Sequence, residues 1–224
     1  MEVVYEGKTK RVVVAGERAL FQFKDDVTGD ADGNINPGGN FIVGHVEGKG
    51  TASAKVAAFL FELLGKAGVE THFRGLRSDT EIEVLRATRI PLEVIYRAKA
   101  YGSFLTRYHG HVKQMSPLDL IEFDLKDDAL GDPLMTPQTI IKLGIASASE
   151  LQQIEAATRK VASIVSKTLA ARGLEVIDMK LEFGRVDGKL LMVDELSGDT
   201  MRVYDLAQKR LINQVELAGK LGLK

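Results

Sequence analysis

From the second residue onward apolar and polar positions alternate. The runs VVYEG, RVVVA and ALFQF are separated by Gly7 and by Ala15-Gly16-Glu17-Arg18, which predicts an antiparallel meander over residues 2–24. Between Asp25 and Gly50 apolar residues are few and seven glycines and one proline stand among Asp and Asn, so this stretch is expected to be a long, mobile loop rather than an element. The period then changes. Val56, Phe59, Leu60, Leu63 and Leu64 fall at helical spacing, with Gly65 and Gly68 as the stop. Residues 81–86 and 92–98 read as strands around Pro91, and 103–108 as a short amphipathic piece after Gly102. A second helix is announced by the capping box Ser147-Ala-Ser-Glu150; Leu151, Ile154, Val161, Ile164, Val165 and Leu169 line one face, and Gly173 ends it. Residues 174–184 and 189–196 form a hairpin across Asp187-Gly188.

Runs of strands with only two or three strong helices predict an α+β fold rather than a doubly wound sheet. A chain of 224 residues can make one domain with two lobes or two small domains. Apolar residues at 45% and charged residues at 27% exclude disorder. The net charge of -1 offers no general attraction for nucleic acid or an anionic membrane, so any phosphate site must be local. The absence of cysteine excludes disulfides, zinc–thiolate sites and thiol catalysis and favours a reducing compartment. With no signal-peptide core after Met1 and no apolar run of membrane-spanning length, a soluble cytoplasmic protein is expected.

The segment IDMKLEFG, 177–184, carries the strongest chemical signal. Strand alternation puts Asp178, Lys180 and Glu182 on one face and Ile177, Met179, Leu181 and Phe183 on the other. Alone, such a row suits a solvent-facing strand; the returning LMVDEL changes the balance. A two-residue turn would set Asp194 opposite Leu181 on the apolar side, where an unpaired carboxylate is expensive. A three-residue loop, Val186-Asp187-Gly188, with a bulge at Gly188 would instead pair Lys180 with Asp194 beside Glu182. Two carboxylates and an ammonium suit Mg²⁺ carrying a triphosphate. Gly7-Lys8-Thr9-Lys10, a Gly turn with two ammoniums between strands, could fold over phosphates. Gly44–Thr51 misses the Walker A spacing and no dinucleotide fingerprint exists. His109 and His111 lack a third ligand, His45 and His72 are isolated, and no hydrolase triad can be assembled. Arg97 and Arg202 flank the hairpin as surface salt bridges or as phosphate forks.

Six segments in order, VYEGKTKRV, SDTEIEV, PLEVIYRAKAYGSFLTRY, FDLKDDALGDP, IDMKLEFG and LMVDELSGDTMRVYD, make the chain resemble the phosphoribosylaminoimidazole-succinocarboxamide synthase (SAICAR synthetase) family. The resemblance implies a two-lobed α+β fold similar to ATP-grasp and kinase folds, with a small antiparallel lobe over residues 1–87, a larger α+β lobe over 88–224, and ATP between them. It implies ATP-dependent joining of 5-aminoimidazole-4-carboxylate ribonucleotide to L-aspartate, through an acyl phosphate, in purine biosynthesis. Gly7, Lys8 and Lys10 would cover the triphosphate, with Lys126 and Lys180 also on ATP. The linker with Arg86, Ala87 and Arg89 would meet adenine through backbone groups. Glu182 and Asp194 would hold Mg²⁺. Arg97, Ser103, Asp199 and Arg202 would bind the ribonucleotide, and Asp178 and Lys180 would lie at its reacting carboxylate. A homo-oligomer, a dimer, is the implied assembly.

The chain departs from the family pattern at Ala98, where Asn is usual, at Gly198, where Pro is usual, and in its short C-terminal tail. Two other readings share these residues. A ligase or small-molecule kinase acting on another carboxylate would leave Arg97, Ser103 and Arg202 incidental; a non-catalytic nucleotide sensor would be marked by loss of Lys180, Glu182 or Asp194, all present here.

Overall fold

The computed structural model describes residues 2–30, 32–33, 35–37, 39 and 41–223. In chain order the strands and helices are β1 (Glu2–Glu6), β2 (Lys10–Ala15), β3 (Arg18–Phe23), β4 (Asp26–Gly29), β5 (Phe41–His45), α1 (Lys49–Lys66), β6 (Phe73–Ser78), β7 (Glu81–Leu85), β8 (Thr88–Arg89), β9 (Leu92–Lys99) and α2 (Ser103–Arg107). There follow β10 (Pro117–Leu125), β11 (Leu134–Met135), α3 (Pro137–Lys142), α4 (Ala148–Ala170), β12 (Leu174–Val186), β13 (Lys189–Val193), β14 (Met201–Asp205), β15 (Arg210–Ile212) and α5 (Gln214–Leu221).

The meander is present, and β7 and β6 extend it into a five-stranded sheet in the order β1-β2-β3-β7-β6. The second sheet runs β11-β10-β9-β12-β14-β15, with β8 and β13 pairing with the far end of the long strand β12. Every named pairing within both sheets is antiparallel, as an α+β fold requires. Alternation sorts the faces of the second sheet: Leu92 and Val94 on β9 and Met179, Leu181 and Phe183 on β12 are buried in the core. The apolar stripe of α4 joins them, and its capping box forms as expected, with Ser147 Oγ accepting from the Glu150 amide and Glu150 accepting from the Ser147 amide. One continuous apolar core links Phe61 and Leu64 of α1 with Met192, Leu196 and Leu217.

Three expectations need correction. The 25–50 stretch is not a loop throughout, because β4 and β5 pair within it; Val27 and Thr28 are buried, which gives this glycine-rich segment an anchor. Helix α1 starts at Lys49, well before Val56, and runs through Gly65. Its first turn is capped from a distance: the amides of Gly48 and Gly50 donate to the Asp25 carboxylate at 3.2 and 2.7 Å.

The third correction concerns the hairpin. Val186 pairs with Lys189, so Asp187 and Gly188, both left-handed with φ of 50° and 75°, make a two-residue turn with no bulge at Gly188. Glu182 pairs with Val193, and continuation of that register sets Asp194 opposite Leu181. Asp194 nevertheless escapes the apolar side. Strand β13 stops at Val193 and Asp194 takes φ 63°, which breaks the two-residue alternation at the carboxylate itself and turns it to Lys10.

Candidate active site: a three-chambered cleft

The polar face of the second sheet is a row of ionisable groups. Asp178, Lys180 and Glu182 share the cleft side of β12, as alternation predicts, and Glu93 and Arg97 on β9 and Glu122 and Asp124 on β10 continue the row. Glu93 Oε1 accepts from Lys180 Nζ at 2.8 Å and from Lys126 Nζ at 2.9 Å, and Lys126 also reaches Glu182 Oε1 at 2.8 Å. Burial pushes the Glu93 carboxyl up, but the two ammoniums outweigh it and hold it below the ordinary value. Burial likewise works against a charged Lys126, and the Glu182 and Glu93 carboxylates overcome it, raising the ammonium. Glu182 itself is raised, by burial first and then by Asp194.

Lys10, at the start of β2, crosses to the end of β13. Its Nζ lies 2.7 Å from Asp194 Oδ1 and also pairs with Glu195. Burial disfavours this ammonium, but the paired carboxylates raise it. Burial also opposes a charged Asp194, which Lys10 nevertheless holds below the ordinary value, while Glu195 is raised by burial. Beneath them His72 is buried, its Nε2 2.8 Å from the Asp194 carbonyl oxygen; desolvation brings its imidazole down to about 4, so it is neutral near pH 7.

Three adjoining cavities surround these groups. The first, about 340 Å³, is lined mainly by Val12, Val14, Ala19, Phe21 and Val84 and bounded by the Arg86–Ala87 linker and Arg89. The second, about 620 Å³, is charged; Gly7, Lys8 and Lys10 enter it from the first sheet and Glu93, Lys126, Lys180, Glu182 and Asp194 from the other side. The third, about 410 Å³, contains Arg97, Ser103, Asp178 and Arg202. Lys10, Lys126, Glu182 and Asp194 border both of the first two, and Glu93 and Lys180 border both of the last two. The cleft is thus apolar at one end, ionic in the middle and arginine-lined at the other, where carboxylates stand among the guanidiniums.

The guanidiniums in the third cavity are clustered. Arg97 is fully buried, donating from Nε to Glu122 Oε2 at 2.6 Å and from Nη2 to Ser103 Oγ at 2.9 Å, with Nη1 3.4 Å from Asp178 Oδ2. Arg202 meets the same Asp178 oxygen at 2.5 Å and gives Nε and Nη2 to Asn36 Oδ1 at 3.0 and 2.6 Å. Neither is a surface salt bridge.

Two of the expected site residues also make contacts within the protein. The Arg86 amide donates to Glu17 O at 2.9 Å, which removes it from the backbone groups able to meet a base. Asp199 borders the ionic cavity, yet Lys49 Nζ and Ser53 Oγ approach one of its oxygens at 2.8 and 2.7 Å and Gln214 Nε2 the other at 3.0 Å. It fastens α1 and α5 to the turn that precedes Arg202. Gly198 belongs to that fastening: a Cβ there would lie 2.8 Å from Gln214 Cγ, so the first turn of the short C-terminal helix packs where a Pro ring would collide. Glu93, Asp124, Glu195, Asn36 and the His72 contact were not singled out from sequence. Parity with Arg97 was available for Glu93; the others depend on nonlocal packing.

Among the described residues no three His, Asp or Glu side chains are close enough to hold a metal unaided. No helix is long and apolar enough to cross a membrane.

The SAICAR synthetase family model matches residues 3–217. The phosphoribosylaminoimidazole-succinocarboxamide synthase of Pyrobaculum aerophilum is 42% identical over 205 residues, covering 91% of this chain and 83% of the relative. That of Clostridium tetani is 38% identical over 211 residues, covering 91% and 92%. The crystal structure of the Ehrlichia chaffeensis synthase superposes with a TM-score of 0.90 at 28% identity over 100% of this chain and 99% of that one. A SAICAR synthetase in complex with ADP gives 0.88 at 30% identity, over 100% and 98%. The order of apolar, ionic and arginine-lined chambers along one cleft, together with a match that runs almost end to end, places the chain in the SAICAR synthetase family.

Proposed function

We propose that the three chambers take, in order, the adenosine of ATP, its phosphates, and the carboxylate ribonucleotide. As a member of its family the protein is an ATP-dependent ligase that condenses 5-aminoimidazole-4-carboxylate ribonucleotide with L-aspartate to give SAICAR, ADP and phosphate, EC 6.3.2.6, in purine biosynthesis. The observation that carries the residue assignment is the position of Lys180, which borders both the ionic and the arginine-lined chamber. A carboxylate held in one chamber and a γ-phosphate in the other would meet beside it, where its charge offsets that of the transferring phosphoryl group.

Lys8 and Lys10 cover the phosphates from the Gly7 turn. Arg202 and Ser103 hold the ribonucleotide's 5′-phosphate with Arg97 behind them, and Asp178 fixes both guanidiniums. Mg²⁺ fits at Glu182 and Asp194: Glu182 Oε2 is buried with no hydrogen-bond partner, and Arg89 Nη1 lies 3.9 Å from it. Two carboxylates without a third agree with an ion that keeps phosphate and water oxygens. When bound, the ion offsets charge on the nucleotide phosphates. We read the lobes as residues 1–87 and 88–224, since the five-stranded sheet ends at Leu85 and β8 begins the second at Thr88. A cytoplasmic dimer completes this reading. The test is ADP release with each co-substrate omitted in turn; turnover requires both, and turnover with an unrelated carboxylate in place of the ribonucleotide would refute the assignment.

A further inference from the structure

The amino-acid co-substrate brings an ammonium group that must lose a proton before its nitrogen can attack, and none of the residues assigned above is free to take it. Lys180, Lys126 and Lys10 are paired cations; Glu93, Glu122 and Asp178 each hold one or more cations at hydrogen-bond distance, and Glu182 and Asp194, which face Lys126 and Lys10, are assigned to Mg²⁺. Asp124 is the exception. It follows Phe123 of the core on β10, so its side chain falls on the cleft face, where it borders the chamber that contains Arg97, Ser103 and Arg202. It is 6% exposed, and its Oδ1 is buried with no hydrogen-bond partner.

Nothing structural accounts for a carboxyl here. In the β10–β9 register Asp124 is paired directly with Glu93, a like-charge pair that disfavours folding. A buried, unpaired carboxyl adds a desolvation cost that an apolar residue would avoid. The groups that face it are Glu93 and Arg97 of β9, Glu122 of its own strand and Arg107 of α2, and none of them makes a hydrogen bond or ion pair with it. Arg107 instead donates to Glu122 Oε2 at 2.5 Å. Burial, the largest influence, raises Asp124 to about 6, so near pH 7 it is ionised yet able to hold a proton.

We propose that Asp124 receives the α-ammonium group of L-aspartate in this chamber and accepts one of its protons. The inference rests on the ligase reading above. The ammonium gives one proton to the Asp124 carboxylate, and the neutral amine attacks the acyl carbon of the acyl phosphate. The new C–N bond forms, the C–O bond to phosphate breaks, and the departing phosphate carries off the second proton. Protonated Asp124 returns its proton to solvent when the product leaves. Glu93 links the two halves of the reaction, since it pairs with Asp124 across the strands and also holds Lys180 Nζ at 2.8 Å.

The experiment compares Asp124→Asn and Asp124→Glu with the wild type, using L-aspartate or hydroxylamine as the amine. Hydroxylamine is already neutral near pH 7 and needs no base. Wild-type ADP release that does not depend on the ribonucleotide and L-aspartate would refute the ligase reading, independently of Asp124. Given that dependence, Asp124→Asn is expected to lower kcat/KM for L-aspartate by about 10²-fold or more, leaving the KM of ATP and of the ribonucleotide, and the hydroxylamine rate, near wild type. Asp124→Glu is expected to recover part of the aspartate rate, with an altered acid limb in its pH profile. Equal losses with both amines, or unchanged aspartate kinetics, would overturn the proposal.

Discussion

Lys10 and Asp194 meet across the cleft, Nζ to Oδ1 at 2.7 Å, although one opens a strand of the first sheet and the other follows the last residue of β13. The contact exists because Asp194 is left-handed, with His72 Nε2 2.8 Å from its carbonyl oxygen. Lys10 supplies the charge that keeps Asp194 and Glu195 together.

Asp194→Ala is therefore expected to leave a folded protein, because it frees Lys10 to pair with Glu195 alone, while activity falls by about 10²-fold or more. The Mg²⁺ concentration giving half-maximal rate should rise in Glu182→Gln, which keeps the shape and loses the charge. Circular dichroism together with Mg²⁺ titration of the rate checks both; an unchanged Mg²⁺ requirement would remove Glu182 from the ion's site.

Arg97 and Arg202 of the third chamber should behave differently. Arg97 is fully buried between Glu122 and Asp178, so Arg97→Ala strands buried carboxylates and is expected to destabilise the fold by about 3–5 kcal/mol. Arg202 borders the cavity, and Arg202→Ala leaves Asp178 still facing Arg97. Arg202→Ala should keep a near-native melting temperature and raise the ribonucleotide KM much more than that of ATP. Equal rises in both would show a general disturbance of the cleft.

Lys49 offers a test of the fastening behind the site. Its fully buried ammonium lies 2.8 Å from Asp199 and donates to Lys24 O at 3.0 Å. Lys49→Met keeps much of the volume but leaves Asp199 with only Ser53 and Gln214, and should cost about 3–5 kcal/mol. Denaturant unfolding measures it. A cost below about 1 kcal/mol, the scale of an exposed pair, would mean that the pair contributes little to the fold.

Much of the cleft was legible where the controlling signal is local. Period-two alternation placed Asp178, Lys180 and Glu182 together, and the Ser147–Glu150 box announced α4. The hairpin shows the limit of that reasoning. Parity correctly required one departure from regular strand geometry between positions 182 and 194, but a loop with an odd number of residues and a strand-end residue with φ above zero satisfy it equally. Asp187-Gly188 was the visible candidate; Asp194, a residue that tolerates the left-handed region, was the actual one. The start of α1 was hidden for a different reason, since its cap, Asp25, stands more than twenty residues before the amide it serves. The partners of Asp199, Lys49, Ser53 and Gln214, were not legible because they come from two helices that only the tertiary fold brings together.

The N-terminus of α4 gives a prediction with a definite sign in pH. Glu150 accepts from Arg185 Nε at 2.6 Å and from the Ser147 amide at 2.8 Å, which ties the helix start to the cleft strand β12. The hydrogen bond from Arg185, with the Ser147 amide next, brings its carboxyl down from 4.5 to about 2. Between these values the unfolded chain binds the proton more readily than the native one, so falling pH favours unfolding. The stabilisation is complete above pH 4.5 and is lost as pH falls through about 2. Both side chains touch water, so the capping value is the better measure of size. Glu150→Gln should destabilise by about 1 kcal/mol at pH 7. That difference should shrink steadily when the two proteins are melted at successively lower pH. A difference that stays constant into the acid range would show that the carboxylate's charge contributes nothing and that Gln merely packs less well.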